Sequence, residues 1–131
     1  MFLNLTRDHL DYHGDLDSYF EAKSRIFTGH PKQPPPRVAI VNLDDGRGAA
    51  LLERIPEGVE ILTFGLGEDA DLRATDLDLG VHHARFTVCY RDRAHRVESG
   101  MLGHFNVGNV LAALAGGMAR GHELPALIAR V

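Results

Sequence analysis

Residues 37–45 read RVAIVNLDD, and this stretch constrains the chain more than any other. Four apolar residues run without a polar break, then give way at once to an asparagine and two aspartates. A strand that is wet on one face alternates apolar and polar positions. An unbroken apolar run bounded by turn formers instead marks a strand buried on both faces, the habit of a parallel sheet with helices on either side. A short helical stretch over residues 49–54 follows, and then a second apolar strand, VEILTFG, over 59–65. The β-α-β order implies parallel neighbours joined by a crossover helix.

The chain upstream and downstream extends this layout. Residues 2–5 read as a short buried strand end. Residues 15–27 read as a helix with Asp15, Asp17 and Ser18 as candidate caps and Ser18/Glu21 spaced as a capping box. GHPKQPPPR (29–37) is a loop, because three consecutive prolines neither continue a helix nor join a central ladder. Beyond residue 70 the pattern changes. LRATDLDL, HHARFTVCY and HRVESGML alternate in type and imply a small antiparallel sub-sheet with one wet face. Residues 106–120 return to an Ala- and Leu-rich helix, with Gly121 suited to its end. The expected fold class is therefore α/β: part of a doubly wound, mostly parallel sheet with a small antiparallel sub-sheet. The 131 residues suffice for one domain with a real core. The chain opens as though inside a strand and closes on the helix-like ELPALIARV, so a piece of a larger protein is expected.

Composition excludes several classes. A net charge of −4 with no basic block argues against nucleic-acid binding, which draws its affinity from Lys and Arg on phosphates. No apolar run approaches the length of a membrane span, and no signal-peptide pattern opens the chain, so the cytoplasm is the default compartment. The single cysteine, Cys89, forms no internal disulfide and is expected as a buried strand residue. His30, His82, His83, His95 and His122 are expected at the surface, His95 in a turn.

Four motifs carry chemistry. Leu16, Phe20, Lys23 and Phe27 share one helical face, and three of them are apolar. A lysine within such a stripe must pair, snorkel out or change its chemistry. Burial favours the neutral, nucleophilic amine, and a neutral amine takes up carbon dioxide to give a carbamate, a carboxylate-like metal ligand. Snorkelling or pairing with Asp17 is the plainer alternative. LTRDHLDYHGDL (5–16) mixes His9 and His13 with Asp8, Asp11 and Asp15 at a strand end, where α/β folds place their sites. Capping and loop hydrogen bonds explain the aspartates equally well. Asn42, Asp44 and Asp45 end the buried strand, as nucleotide contacts or as turn formers. In GHFNVGN (103–109), Phe105 offers a stacking ring and the asparagines an amide edge that matches adenine. The alternative is a turn with Asn106 as N-cap and Phe105 in the core.

Taken in order and at these separations, NLTRDHLDYHG, YFEAKSRIF, VNLDD and GHFNVGNVLAALA resemble the Mur ligases. The likeness is closest to the MurE type, the UDP-N-acetylmuramoyl-tripeptide synthetases, and covers essentially the whole chain. It implies an ATP-dependent ligase of peptidoglycan precursor synthesis that adds an amino acid to a UDP-N-acetylmuramoyl-peptide through an acyl phosphate, with ATP and Mg²⁺ as cofactors. It implies that His9 binds Mg²⁺, that Lys23 is carbamylated and helps hold the metal, and that Tyr19 belongs to the active site. It places Asn42 and Asp45 against the nucleotide, and Phe105, Asn106 and Asn109 against adenine. Asp11, Tyr12 and His13 are type markers without individual roles.

The family's phosphate-binding loop, G-x-x-G-K-[ST], does not occur in the sequence. Residues 1–131 therefore resemble the second half of the central ATP-binding domain, without the P-loop half or the N- and C-terminal domains. Alone, the chain is expected to be inactive and marginally stable. The alternatives are a non-catalytic remnant with weak nucleotide binding or an assembly role, and another amide ligase such as a folylpolyglutamate synthetase. Oligomeric state and the amino acid added are not readable from these residues.

Overall fold

A computed structural model describes residues 1–4, 16–100 and 104–131; for Leu16, His104 and Phe105 it describes the backbone alone. Elements follow in the order α1 (Leu16–Thr28), β1 (Val38–Asn42), α2 (Gly48–Leu52), β2 (Glu60–Gly65), β3 (Leu72–Leu79), β4 (Ala84–Tyr90), β5 (Arg93–Ser99), α3 (His104–Ala119) and α4 (Leu124–Ile128). The strands form one five-stranded sheet in sequence order. β1, β2 and β3 run parallel; β4 and β5 return antiparallel. Phe2 adds a parallel bridge to Val41 on the outer side of β1.

β1 is buried on both faces, as its apolar run demands. Ile40 belongs to a core built with Leu62, Phe64, Leu72, Phe86 and Val88 under α3 and α4. Its neighbours Ala39 and Val41 point the other way, into a second core with Phe2, Phe20, Phe27 and Leu51. The period-2 alternation of a strand thus divides one apolar run between two helical layers. In the second core the Phe2 ring stands edge-on to Phe20 and to Phe27, with centroids 6.4 Å apart in both pairs.

The antiparallel strands continue the parallel sheet rather than forming a separate one. β3 is their joint. It pairs with β2 only at Phe64↔Leu72 and Gly65↔Arg73. Parallel neighbours ordinarily need a long crossover to return the chain to its start. Here β3 runs on past the end of β2, so the short loop 66–71 suffices. Thr63 and Asp71 fasten that loop: the Asp71 carboxylate accepts from the Thr63 amide (2.9 Å) and hydroxyl (2.7 Å), and the Asp71 amide donates to the Thr63 hydroxyl oxygen (2.9 Å).

α1 ends at Gly29, whose φ of +83° favours glycine. A Cβ there would also lie 2.9 Å from Pro35 Cδ, so the turn into the proline loop depends on its absence. α3 stops at Gly121 (φ +89°), with the Gly121 and His122 amides returning to the Met118 and Gly117 carbonyls.

Three local expectations are corrected. Asn106 lies inside α3, which already includes His104, so it is not the N-cap. Ser18 lies inside α1, and the Glu21 carboxylate pairs with Arg54 at 2.6 Å instead of closing a capping box. His95 sits in β5, not in a turn, and is half-buried because it shares the inward parity of Val97 and Ser99. Its Nε2 is enclosed without a hydrogen-bond partner among the described residues. Cys89 lies in β4, as expected, but is half-buried rather than buried. No helix among the described residues is long and apolar enough to cross a membrane.

On the wet face, Arg85 of β4 lies directly opposite Glu98 of β5 and donates to it at 3.0 Å. That hydrogen bond, then the charge of Arg85, lowers the Glu98 pKa below its ordinary value. A depressed carboxylate adds stability above the unfolded glutamate pKa, and that stability is lost as pH falls through the lower folded value. The carboxyl ¹³C shift of Glu98 should therefore titrate below that of a free glutamate, and Arg85→Met should return the midpoint to the ordinary range. An unmoved midpoint would contradict the pairing. Phe20 is 1% exposed. Phe20→Ala should cost about 3–5 kcal/mol in urea unfolding; a loss below about 1 kcal/mol would show that α1 does not depend on this ring.

Candidate active site

In the turn after β1 the backbone packs closely on itself. The Asp45 carboxylate accepts from the Arg47 amide at 2.9 Å, and the Asp45 carbonyl accepts from the Gly48 amide at 2.8 Å. This Asx-type turn starts α2 without further capping. Gly48 is obligatory: a Cβ there would lie 2.1 Å from the Asn42 carbonyl oxygen. α2 can then stack its first turn directly on the end of β1.

Asn42 and Asp44 close the other side of the turn. The Asn42 side-chain amide donates to the Leu3 carbonyl at 2.8 Å, and its oxygen accepts from the Asp44 amide at 2.9 Å. The Asp44 carboxylate reaches across to the loop after β2, where the Leu66 amide donates to its two oxygens at 2.8 and 3.1 Å. Gly65 makes room, since a Cβ there would stand 2.7 Å from Asp44 Oδ1. Sequence reading placed Asp44 at the strand end as a nucleotide contact or a turn former. Its partner is a backbone amide just past the end of the neighbouring strand, which periodicity cannot show. The one available signal was a glycine at the same level of the next strand.

α1 supplies Lys23 and Tyr19. The face that carries Lys23 is the buried one, as its spacing predicts: Phe20 and Phe27 are enclosed, while the Leu16 side chain lies outside the described residues. Lys23 is half-buried at the margin of that face. Its Nζ donates to the Asn4 carbonyl at 3.0 Å and lies 4.6 Å from the centre of the Tyr19 ring, one turn back. Among the described residues the lysine is thus held by a backbone carbonyl and a ring, not by an acid; Asp17 pairs with Arg47 instead. Arg47 and Arg54 lie over the Phe20 ring at 5.3 and 4.8 Å while pairing with Asp17 and Glu21, and so lock the α2 segment against α1.

His9, with Asp8, Asp11, Tyr12, His13 and Asp15, lies outside the described residues, as does the Phe105 side chain. Asn106 and Asn109 sit in α3, on the opposite face of the sheet from α1, with the Asn109 amide 3.4 Å from Asn106 Oδ1. The structure therefore joins Lys23 to Asn4 and Asn42 to Leu3, sets Tyr19 beside Lys23, and groups the α3 asparagines separately.

Among the described residues no three His, Cys, Asp or Glu side chains gather as a metal site. A carbamate on Lys23 Nζ retains one N–H, which the Asn4 carbonyl can still accept, so the observed hydrogen bond and a carbamylated lysine fit together. The polar end of β1 lies where parallel sheets hold nucleotides, at the carboxyl ends of the strands. Gly48→Ala should destabilise the chain by about 1–3 kcal/mol through overpacking. Urea unfolding that left its stability unchanged would mean that the turn can open.

Residues 1–117 match the Mur ligase middle domain. The chain is similar to the UDP-N-acetylmuramoyl-L-alanyl-D-glutamate–2,6-diaminopimelate ligase of Solibacter usitatus, at 40% identity over 130 residues, 99% of this chain and 26% of that protein. It is 41% identical over 133 residues to the ligase of the same name from Xanthomonas campestris, covering 100% of this chain and 26% of that one. A solved structure of a 2,6-diaminopimelate ligase superposes with a TM-score of 0.82 at 38% identity, over 96% of this chain and 26% of the other. MurF from Acinetobacter baumannii does so with a TM-score of 0.81 at 31% identity, with the same coverage. The chain spans about a quarter of the length of the curated relatives it matches.

Proposed function

Because the chain belongs to the Mur ligase family, through its middle domain, we propose that it is part of an ATP-dependent ligase adding 2,6-diaminopimelate to a UDP-N-acetylmuramoyl-dipeptide. The observation that carries this reading is similarity over nearly the whole chain to ligases named for that amino acid. In the reaction, the terminal carboxylate of the dipeptide takes the γ-phosphoryl group of ATP, giving an acyl phosphate and ADP. The incoming amine attacks the acyl carbon, loses a proton, and expels inorganic phosphate as the amide forms. The protein's contribution is positioning and charge neutralisation. A cytoplasmic location follows from the ATP and nucleotide-linked precursor that such a reaction consumes.

Within this segment, Lys23 as a carbamate and His9 would hold Mg²⁺, which neutralises phosphate charge when bound. Tyr19 packs beside the lysine amine and fixes its approach. Asp45, in the turn after β1, and Phe105, Asn106 and Asn109, at the start of α3, would meet the nucleotide. The support for Lys23 is its position: an amine on an otherwise apolar face, held, among the described residues, by a backbone carbonyl and an aromatic ring.

In the complete ligase, Lys23→Ala should cut kcat on the order of 100-fold, and added short-chain carboxylic acids should restore part of the loss by standing in for the carbamate. A Lys23→Ala enzyme of undiminished rate would refute the carbamate role. Coupled-assay measurement of phosphate release, with and without acetate, makes the comparison.

A further inference from the structure

We infer that Asn42 is a positioning residue for the Lys23 site rather than a contact to the nucleotide. The inference rests on the metal-site role proposed above for Lys23. Both ends of the Asn42 side chain are committed within the chain, Nδ2 to the Leu3 carbonyl and Oδ1 to the Asp44 amide. Each partner is backbone, so turning the amide toward a ligand breaks two hydrogen bonds. The Asn42 amide N–H also donates to the Phe2 carbonyl at 3.0 Å, and the Phe2 amide donates to Ile40 at 2.7 Å.

Those two backbone bonds hold the strand only at Phe2. Beyond it, side chains take over on consecutive residues. Asn42 of β1 grips the carbonyl of Leu3, and Lys23 of α1 grips the carbonyl of Asn4. The acceptor that holds the lysine amine is thus one residue from the carbonyl that Asn42 anchors. Loss of the Asn42 donor frees Leu3, displaces the Asn4 oxygen, and leaves Lys23 to turn toward solvent. Asn42 acts on the lysine through the strand, without touching it.

Asn42→Asp tests this most directly. It keeps an acceptor for the Asp44 amide and replaces the donor with an oxygen that repels Leu3. In this chain, hydrogen exchange at the Phe2 amide should quicken about five- to tenfold, the equivalent of one ordinary hydrogen bond, and Lys23 should acylate faster with an amine-specific reagent. The amides of β4 and β5 should keep their protection. If they too lose it, the structure has loosened generally, and the milder Asn42→Ser replaces the variant. In the complete ligase, the Mg²⁺ concentration giving half-maximal rate should rise several-fold while the KM for ATP stays within twofold. Unchanged Phe2 exchange would overturn the tether. A raised KM for ATP with an unmoved Mg²⁺ requirement would overturn the positioning role and return Asn42 to the nucleotide. An unsubstituted complete protein that performs no ligation would refute the functional reading instead, and amide exchange would still decide whether the tether exists.

Discussion

Burial of β1 on both faces is the constraint from which the other layers follow. Its side chains leave alternately for two cores, so a helix is required on each side of the sheet, and α1 and α3 supply them. A strand with no wet face has no place for polar groups along its length. They collect at its end, where Asn42, Asp44 and Asp45 meet the start of α2. The close backbone approach follows from the same crowding: a helix that must cover β1 begins directly over its last carbonyl, and only glycine at position 48 allows it.

The turn that results does several jobs with few atoms. Asp45 starts α2, Asp44 ties β1 to the loop after β2, and Asn42 ties β1 to the strand of residues 2–4. These bonds are local in space but distant in sequence. They set the positions of the groups proposed to handle metal and nucleotide before any ligand arrives, which is the usual requirement of a site whose work is electrostatic.

Much of this was legible in the residues. The unbroken run VAIV, short and rich in β-branched residues and ended by turn formers, gave a two-sided strand. The alternation of ARFTVCY gave a one-sided strand, and the Phe20, Lys23, Phe27 spacing marked the buried face of α1. What escaped had a common cause. The Asp44–Leu66 bond, the stacking of Arg47 and Arg54 on Phe20, and the partner of Lys23 all join segments whose proximity is a product of the fold. The inward turn of His95 was missed for another reason. HRVESGML was taken to begin at His95, yet the strand begins at Arg93, and the earlier start makes a strand residue of one assigned to a turn.

The narrow seam between β2 and β3 has a mechanical consequence. Two pairs of residues join the parallel and antiparallel halves of the sheet, too few to make them melt together through hydrogen bonding. α3 bridges the gap, because its Val107, Val110, Leu111, Leu114 and Ala115 belong to the same core as Ile40, Leu62, Leu72, Phe86 and Val97. Cooperativity therefore resides in an apolar strut laid across the seam rather than in the ladder beneath it. With α3 lifted away, the β3–β5 meander and the β1–α2–β2 unit become separate foldons, each free to open on its own.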